Sequence, residues 1–165
     1  MDVIFSKDAF LEGQLLLVDK PLEWTSFQLV NKIRWAIRKT YGIKKIKVGH
    51  AGTLDPLATG LMLICTGKMT KQINQYMGMD KSYTGTFRLG GTTPSYDLET
   101  AVSNPRPTDY ITTALLEETR NTFLGKIQQK PPLHSAIKKD GKRPYTIARA
   151  GMTTEVSSRE VTITR

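Results

Sequence analysis

The first clear pattern along the chain is "LLLVDKP", Leu15 to Pro21, four apolar residues followed by Asp19 and Lys20 and ended by proline; it reads as a buried strand. Apolar positions then fall into helical spacing. Phe27, Val30, Ile33 and Ile37 share one side of a helix running to about Thr40, with Lys32, Arg34, Arg38 and Lys39 largely elsewhere. Thr25 or Ser26 suits its start and Gly42 its stop. "LMLIC", Leu61 to Cys65, predicts a core strand, and Lys68 to Tyr76 a short helix closed near Gly78. "KSYTGTFRLG", Lys81 to Gly90, has the aromatic content and alternation of a strand. The polar, proline-bearing "TTPSYDLETAVSNPRPTD" reads as a loop. Helical spacing returns from Ile111 to Phe123 through Leu115, Leu116 and Thr119, with Gly125 just past the end. "PPLHSAIKKDGKRPYTIARAG" predicts a strand, an Asp140-Gly141 hairpin turn and a short helix from about Pro144 to Ala150; "REVTITR" closes on strand alternation. Helices and strands intermix without regular alternation and without an internal repeat. The fold class is therefore α+β with a largely antiparallel sheet.

Length and composition narrow the picture. At 165 residues the chain is expected to form one domain with a core of its own. The longest apolar run falls far short of a membrane span, and "MDVIFSKDAFLEG" has no basic segment leading into an apolar one, so we expect neither membrane nor export. The single cysteine, Cys65, excludes an intramolecular disulfide; with His50 and His134 it makes no recognisable zinc cluster. A reduced, cytoplasmic setting follows, with no structural metal. Net charge is +9 and unevenly spread: seven basic residues and no acid lie between Lys32 and Lys47, whereas Asp97 to Glu118 holds five acids and only Arg106. Such a face attracts polyanions through phosphate neutralisation, although charge alone reads equally well as a solvated helix surface.

Against that charge stands "GHAGTLDPLATGLMLICTGKMTK", Gly49 to Lys71, which sets one carboxylate, Asp55, in a loop ahead of an apolar strand. A P-loop needs four residues between its glycine and its Gly-Lys pair; Gly60 and Gly67 are separated by six, and Met69 replaces the hydroxyl residue. "GHAG" matches the Gly-x-x-Gly of a KH loop, but such a loop joins two helices, and Val48 follows a short basic extended segment. Pro56 pushes Asp55 out of helical geometry, and Gly49, Gly52 and Gly60 permit sharp turns and close approach of a ligand. As an isolated dipeptide, Asp-Pro is most often a turn initiator.

The longer string says more. With "LLLVDKP" upstream and "KSYTGTFRLG" downstream it resembles the TruB family of tRNA pseudouridine-55 synthases, and "IQQKPPLHSAIKKDGKRPYTIARAG" is similar to that family's second long signature. The resemblance covers nearly the whole chain, in order and with similar spacing. It implies a pseudouridine synthase-like α+β fold, a mixed sheet flanked by helices, and Asp55 as the nucleophile that converts a T-arm uridine to pseudouridine. A carboxylate needs no partner base, as a serine hydroxyl would. Attack on C6 of the uracil, attack on C1′ of the sugar and abstraction of a sugar proton all remain open.

The target base must leave its stack before Asp55 reaches it. Tyr83 matches the family's tyrosine that stacks on the flipped base, though local pattern alone reads it as an ordinary strand residue. His50 matches the histidine of the family's "GH" pair, expected to contact the RNA in the space the nucleotide vacates. Lys20 matches the family's motif beside the active site. Lys20, Gly52, Thr53 and Leu54 join His50 and Tyr83 as expected substrate-binding residues. Lys32, Arg34, Arg38, Lys39, Lys138, Lys139, Lys142 and Arg143 are candidates for RNA backbone contacts, which orient the RNA and carry little sequence information. The reaction needs no redox change or group carrier, so no cofactor is expected; the expected partner is the tRNA T-arm, with no obligate protein partner.

The resemblance also implies that residues 1–165 are an amino-terminal part of the catalytic domain, with more sheet, a further tyrosine, an arginine that pairs with the catalytic aspartate and a small RNA-binding domain beyond Arg165. Two rivals stay open: a related guide-RNA-dependent synthase, which "DPLATGLMLICTGKMTK" disfavours, and a non-catalytic RNA-binding or tRNA-folding module.

Overall fold

The computed structural model describes residues 5–130 and 157–164. The expected hairpin turn at Asp140-Gly141, the helix near Pro144, and Lys138, Lys139, Lys142 and Arg143 lie outside the described residues. The chain forms two compact units, one ending at Thr84 and one beginning at Gly85.

In the first unit, helix α1 (Lys7–Glu12), which periodicity did not reveal, is capped by Ser6, whose hydroxyl accepts from the N–H of Ala9. Six residues carry too little pattern to stand out, and packing of Phe10 into the core holds it in place. Strand β1 (Leu15–Lys20) leads to helix α2 (Ser26–Tyr41), which begins and ends where its local signals say. Thr25 and Gln28 form a reciprocal capping box, and Gly42 closes the helix in the left-handed conformation. Strands β2 (Val48–His50) and β3 (Gly60–Thr66) complete an antiparallel sheet of order β1-β3-β2, with Leu15 opposite Cys65 and Lys20 opposite Gly60.

Ile64 and Met62 of β3 meet Leu29, Val30 and Ile37 of α2, with Phe10, Ile43, Ile46 and Val48 around them. Two expectations shift here. Leu17 and Leu61 are exposed, so one face is open where β1 pairs with the start of β3 and the apolar run of β1 does not mean burial on both sides, whereas Ile64, Cys65 and Thr66 at the end of β3 are buried on both faces. Phe27 is also exposed while Leu29 takes the core position, because the first turn of α2 docks through Ser26. After β3 the expected helix from Lys68 divides into a 3₁₀ turn (Gly67–Gln72) and the short helix α3 (Ile73–Met77).

Lys81 to Gly90 is not a strand. It has suitable side chains, but a strand also needs a neighbour for its N–H and C=O groups, and among the described residues no strand pairs with it; only the carbonyl of Gly90 accepts a backbone hydrogen bond, from Arg106. In the second unit, Thr112 caps helix α4 (Thr113–Asn121). Gly125, expected as a helix terminator, opens strand β4 (Gly125–Gln129), which pairs antiparallel with β5 (Arg159–Ile163), the strand expected in "REVTITR". All strand pairing among the described residues is antiparallel, in line with the α+β reading. All buried residues among those described lie between Phe10 and Thr66. No helix among them is long and apolar enough to cross a membrane.

Candidate active site

Two loops meet where β1 ends. The β1–α2 connection and the β2–β3 connection that carries Asp55 are joined by the N–H of Glu23, which donates to the carbonyl of Pro56 at 2.8 Å. Ser26 makes a second tie. Its hydroxyl donates to the carbonyl of Leu54 at 2.8 Å and accepts from the N–H of Leu54 at 3.0 Å, fixing the residue before Asp55 in both directions. Thr25 already caps the helix, so the adjacent hydroxyl is left for the loop. Sequence reasoning saw Ser26 only as an alternative cap; two neighbouring hydroxyls where one cap suffices were the available signal.

Lys20 makes the third tie. It has 0% of its surface exposed, and its ammonium donates to the carbonyls of Pro21 at 2.9 Å, Trp24 at 2.6 Å and Pro56 at 3.4 Å. Burial pushes its pKa below the ordinary lysine value, and the nearby Asp55 charge pulls it part of the way back. The lysine expected to bind substrate is thus a buried cation held by backbone beneath the Asp55 loop.

Asp55 itself opens a turn: its carbonyl accepts from the N–H of Ala58 at 3.0 Å, with Pro56 next in the turn, where fixed φ is favoured. Its side chain is exposed and makes no hydrogen bond or ion pair among the described residues. The loop is therefore anchored through Leu54 and Pro56, on either side of a carboxylate left open to solvent. Gly52, at φ +117°, sits where an L side chain is strained, and the Nδ1 of His50 meets its carbonyl. That contact requires the proton on Nδ1 and leaves Nε2 available. Thr53 is exposed and Leu54 packs against the core.

The other candidates are less closely gathered. Tyr83 is 74% exposed and makes no hydrogen bond among the described residues. Lys32, Arg38 and Lys39 lie on exposed positions of α2, whereas Arg34 turns inward, donating to Asn31 Oδ1 at 3.2 Å and to the carbonyl of Val48 at 3.3 Å. No group of three His, Cys, Asp or Glu side chains among the described residues is arranged to hold a metal ion.

The family model described as TruB family pseudouridylate synthase (N terminal domain) matches residues 38–165. This chain belongs to that family. It is 59% identical over 157 residues to tRNA pseudouridine synthase B of Flavobacterium johnsoniae, covering 94% of this chain and 69% of the relative. The protein of the same name from Phocaeicola vulgatus is 54% identical over 154 residues, covering 93% and 66%. That from Chloroherpeton thalassium is 51% identical over 140 residues, covering 85% and 57%. The chain thus spans about two thirds of the length of the first two of these relatives. The TruB match begins within α2 and takes in the Asp55 loop, Tyr83 and the second signature, while the relatives' alignments extend it to most of the chain.

Proposed function

We propose that the protein carrying this chain isomerises a uridine in the T-arm of tRNA, at position 55, to pseudouridine, with Asp55 as nucleophile on a flipped-out base. The observation that carries the reading is the Asp55 turn, an exposed carboxylate on a loop clamped through both neighbours, in a chain of this family. In the reaction the N1–C1′ bond breaks, the uracil turns, a C5–C1′ bond forms, the C5 proton leaves to solvent and N1 takes up a proton. A carboxylate on a loop fixed through both neighbours is suited to that sequence, because its backbone position is set before the nucleotide arrives.

The remaining residues take roles around it. Lys20 and Ser26 hold the loop, so Lys20 acts on the position of Asp55 and leaves contact with RNA to others. Tyr83 offers its exposed ring to the extruded base, restoring part of the few kcal/mol lost on unstacking. His50, with Nε2 left over from its bond to Gly52, contacts the RNA where the nucleotide has left. The work is done in the cytoplasm, where tRNA is, and the relatives' shared name, tRNA pseudouridine synthase B, favours a free tRNA substrate over a guide-RNA particle.

The test is single-turnover release of tritium from C5-labelled uridine in a T-arm stem-loop, with Asp55→Asn beside the unaltered protein. The variant is expected to bind RNA almost as before and release no tritium. Product formation at the unaltered rate by Asp55→Asn would remove Asp55 from the nucleophile's role.

A further inference from the structure

Helix α2 begins at the Asp55 loop, to which its first residue Ser26 is tied, and its outer face has an unusual make-up. Directly opposite the side formed by the buried Leu29, Val30 and Ile37 and the partly buried Ile33 lies Trp35, 54% exposed. The ammonium groups of Lys32 and Lys39 stand 5.1 and 4.9 Å from its ring centroid. Toward the helix start, Trp24, Gln28, Asn31 and Lys32 line a shallow recess. No acidic residue occurs between Glu23 and Asp55, so the face lacks the alternating charges of an ordinary solvated helix.

The polar groups beside Trp35 are biased the same way. The side-chain oxygen of Gln28 accepts from the N–H and hydroxyl of Thr25, and that of Asn31 accepts from Arg34. The acceptor half of each amide is therefore engaged, and its NH₂ half has no partner among the described residues. A face of cations and N–H donors set around an indole suits phosphates on either side of an unstacked base.

We propose that the outer face of α2 is a second RNA subsite, in which Trp35 stacks an unpaired nucleotide of the RNA substrate and Lys32 and Lys39 take the flanking phosphates. This rests on the RNA-modifying reading above and adds to it a base-stacking position away from the catalytic loop. From Gln28 to Lys39 the face runs about 16 Å along the helix axis, room for two or three nucleotides of backbone. The lysines move aside readily, since an exposed cation–π contact is weak. Ser26 joins this helix to Leu54, so RNA held here is registered against Asp55.

The experiment uses the full-length protein with a T-arm stem-loop and with whole tRNA, following tryptophan emission, affinity against salt and tritium release together. RNA should quench the emission, and Trp35→Phe should remove that part of the change. Trp35→Ala should weaken affinity about tenfold and Trp35→Tyr much less. Lys32→Gln with Lys39→Gln should reduce the salt slope by about 1.5. A response to the stem-loop would place the stacked base in the T-arm, and one to whole tRNA alone would place it elsewhere. Trp35→Ala binding both RNAs with unaltered affinity while tritium release continues would overturn the subsite and leave the catalytic reading standing. So would emission from Trp35 already shielded in the free protein, because another segment would then cover the face. An unaltered protein that binds neither RNA would overturn both.

Discussion

Replacing Lys20 by methionine keeps the side chain's length and removes its charge and donors. The carbonyls of Pro21 and Trp24 then lose the donor found among the described residues, at 2.9 and 2.6 Å, whereas Pro56 keeps the N–H of Glu23 at 2.8 Å. Pro21 and Trp24 are exposed and their bonds to Lys20 part-buried, so water replaces the donor in part and each loss costs about 1 kcal/mol. Two such losses are partly offset because a buried cation no longer has to be desolvated. The net loss should be at most about 2 kcal/mol, read as a shift in the midpoint of chemical denaturation without a change in slope. Because Lys20 ties Pro56 to the sheet end, turnover should also fall, by about 10- to 100-fold for a displacement near 1 Å, while RNA affinity holds. The pH dependence has a definite sign. Burial lowers the folded-state pKa of Lys20, so between that depressed value and the ordinary lysine value the unfolded chain binds more protons and stability rises with pH. Lys20→Met should abolish that rise. Unaltered stability with a large loss of RNA affinity would refute the clamp and return Lys20 to direct substrate binding.

Ser26→Ala should cost about 1–3 kcal/mol, because it strips the N–H and carbonyl of Leu54 of their shared partner, and should slow tritium release more than it weakens RNA binding. An equal fall in stability with no change in turnover would mean the tie serves only the fold. Cys65 is fully buried and its thiol is pushed up by burial, so alkylation in native buffer should be slow and should track unfolding; rapid labelling of folded protein would contradict that burial. Tyr83→Phe should keep most of the RNA affinity, since the stacking ring remains, and a complete loss of binding would argue against the stacking role.

The parts of the chain that could be read unaided are those whose causes are local. Thr25 and Gly42 bound α2 within a residue or so, since caps act on neighbours in the chain, and the apolar runs of β1 and β3 announce themselves in the same way. The Asp55-Pro56 turn was legible for the same reason, and its chemical meaning came from the resemblance of the surrounding string. What the tertiary structure decided are relations between distant segments. Leu17 is exposed and Leu16 covered because only one face of the sheet receives α2. Lys81 to Gly90 is not a strand and pairs with no strand among the described residues, whereas Gly125–Gln129 becomes one by meeting Arg159–Ile163. Lys20 shows the division most plainly. Its sequence context marks the end of a strand, but its buried ammonium beneath Asp55 exists only because residues 20 and 56 are brought together by the fold, and no local periodicity encodes such a contact.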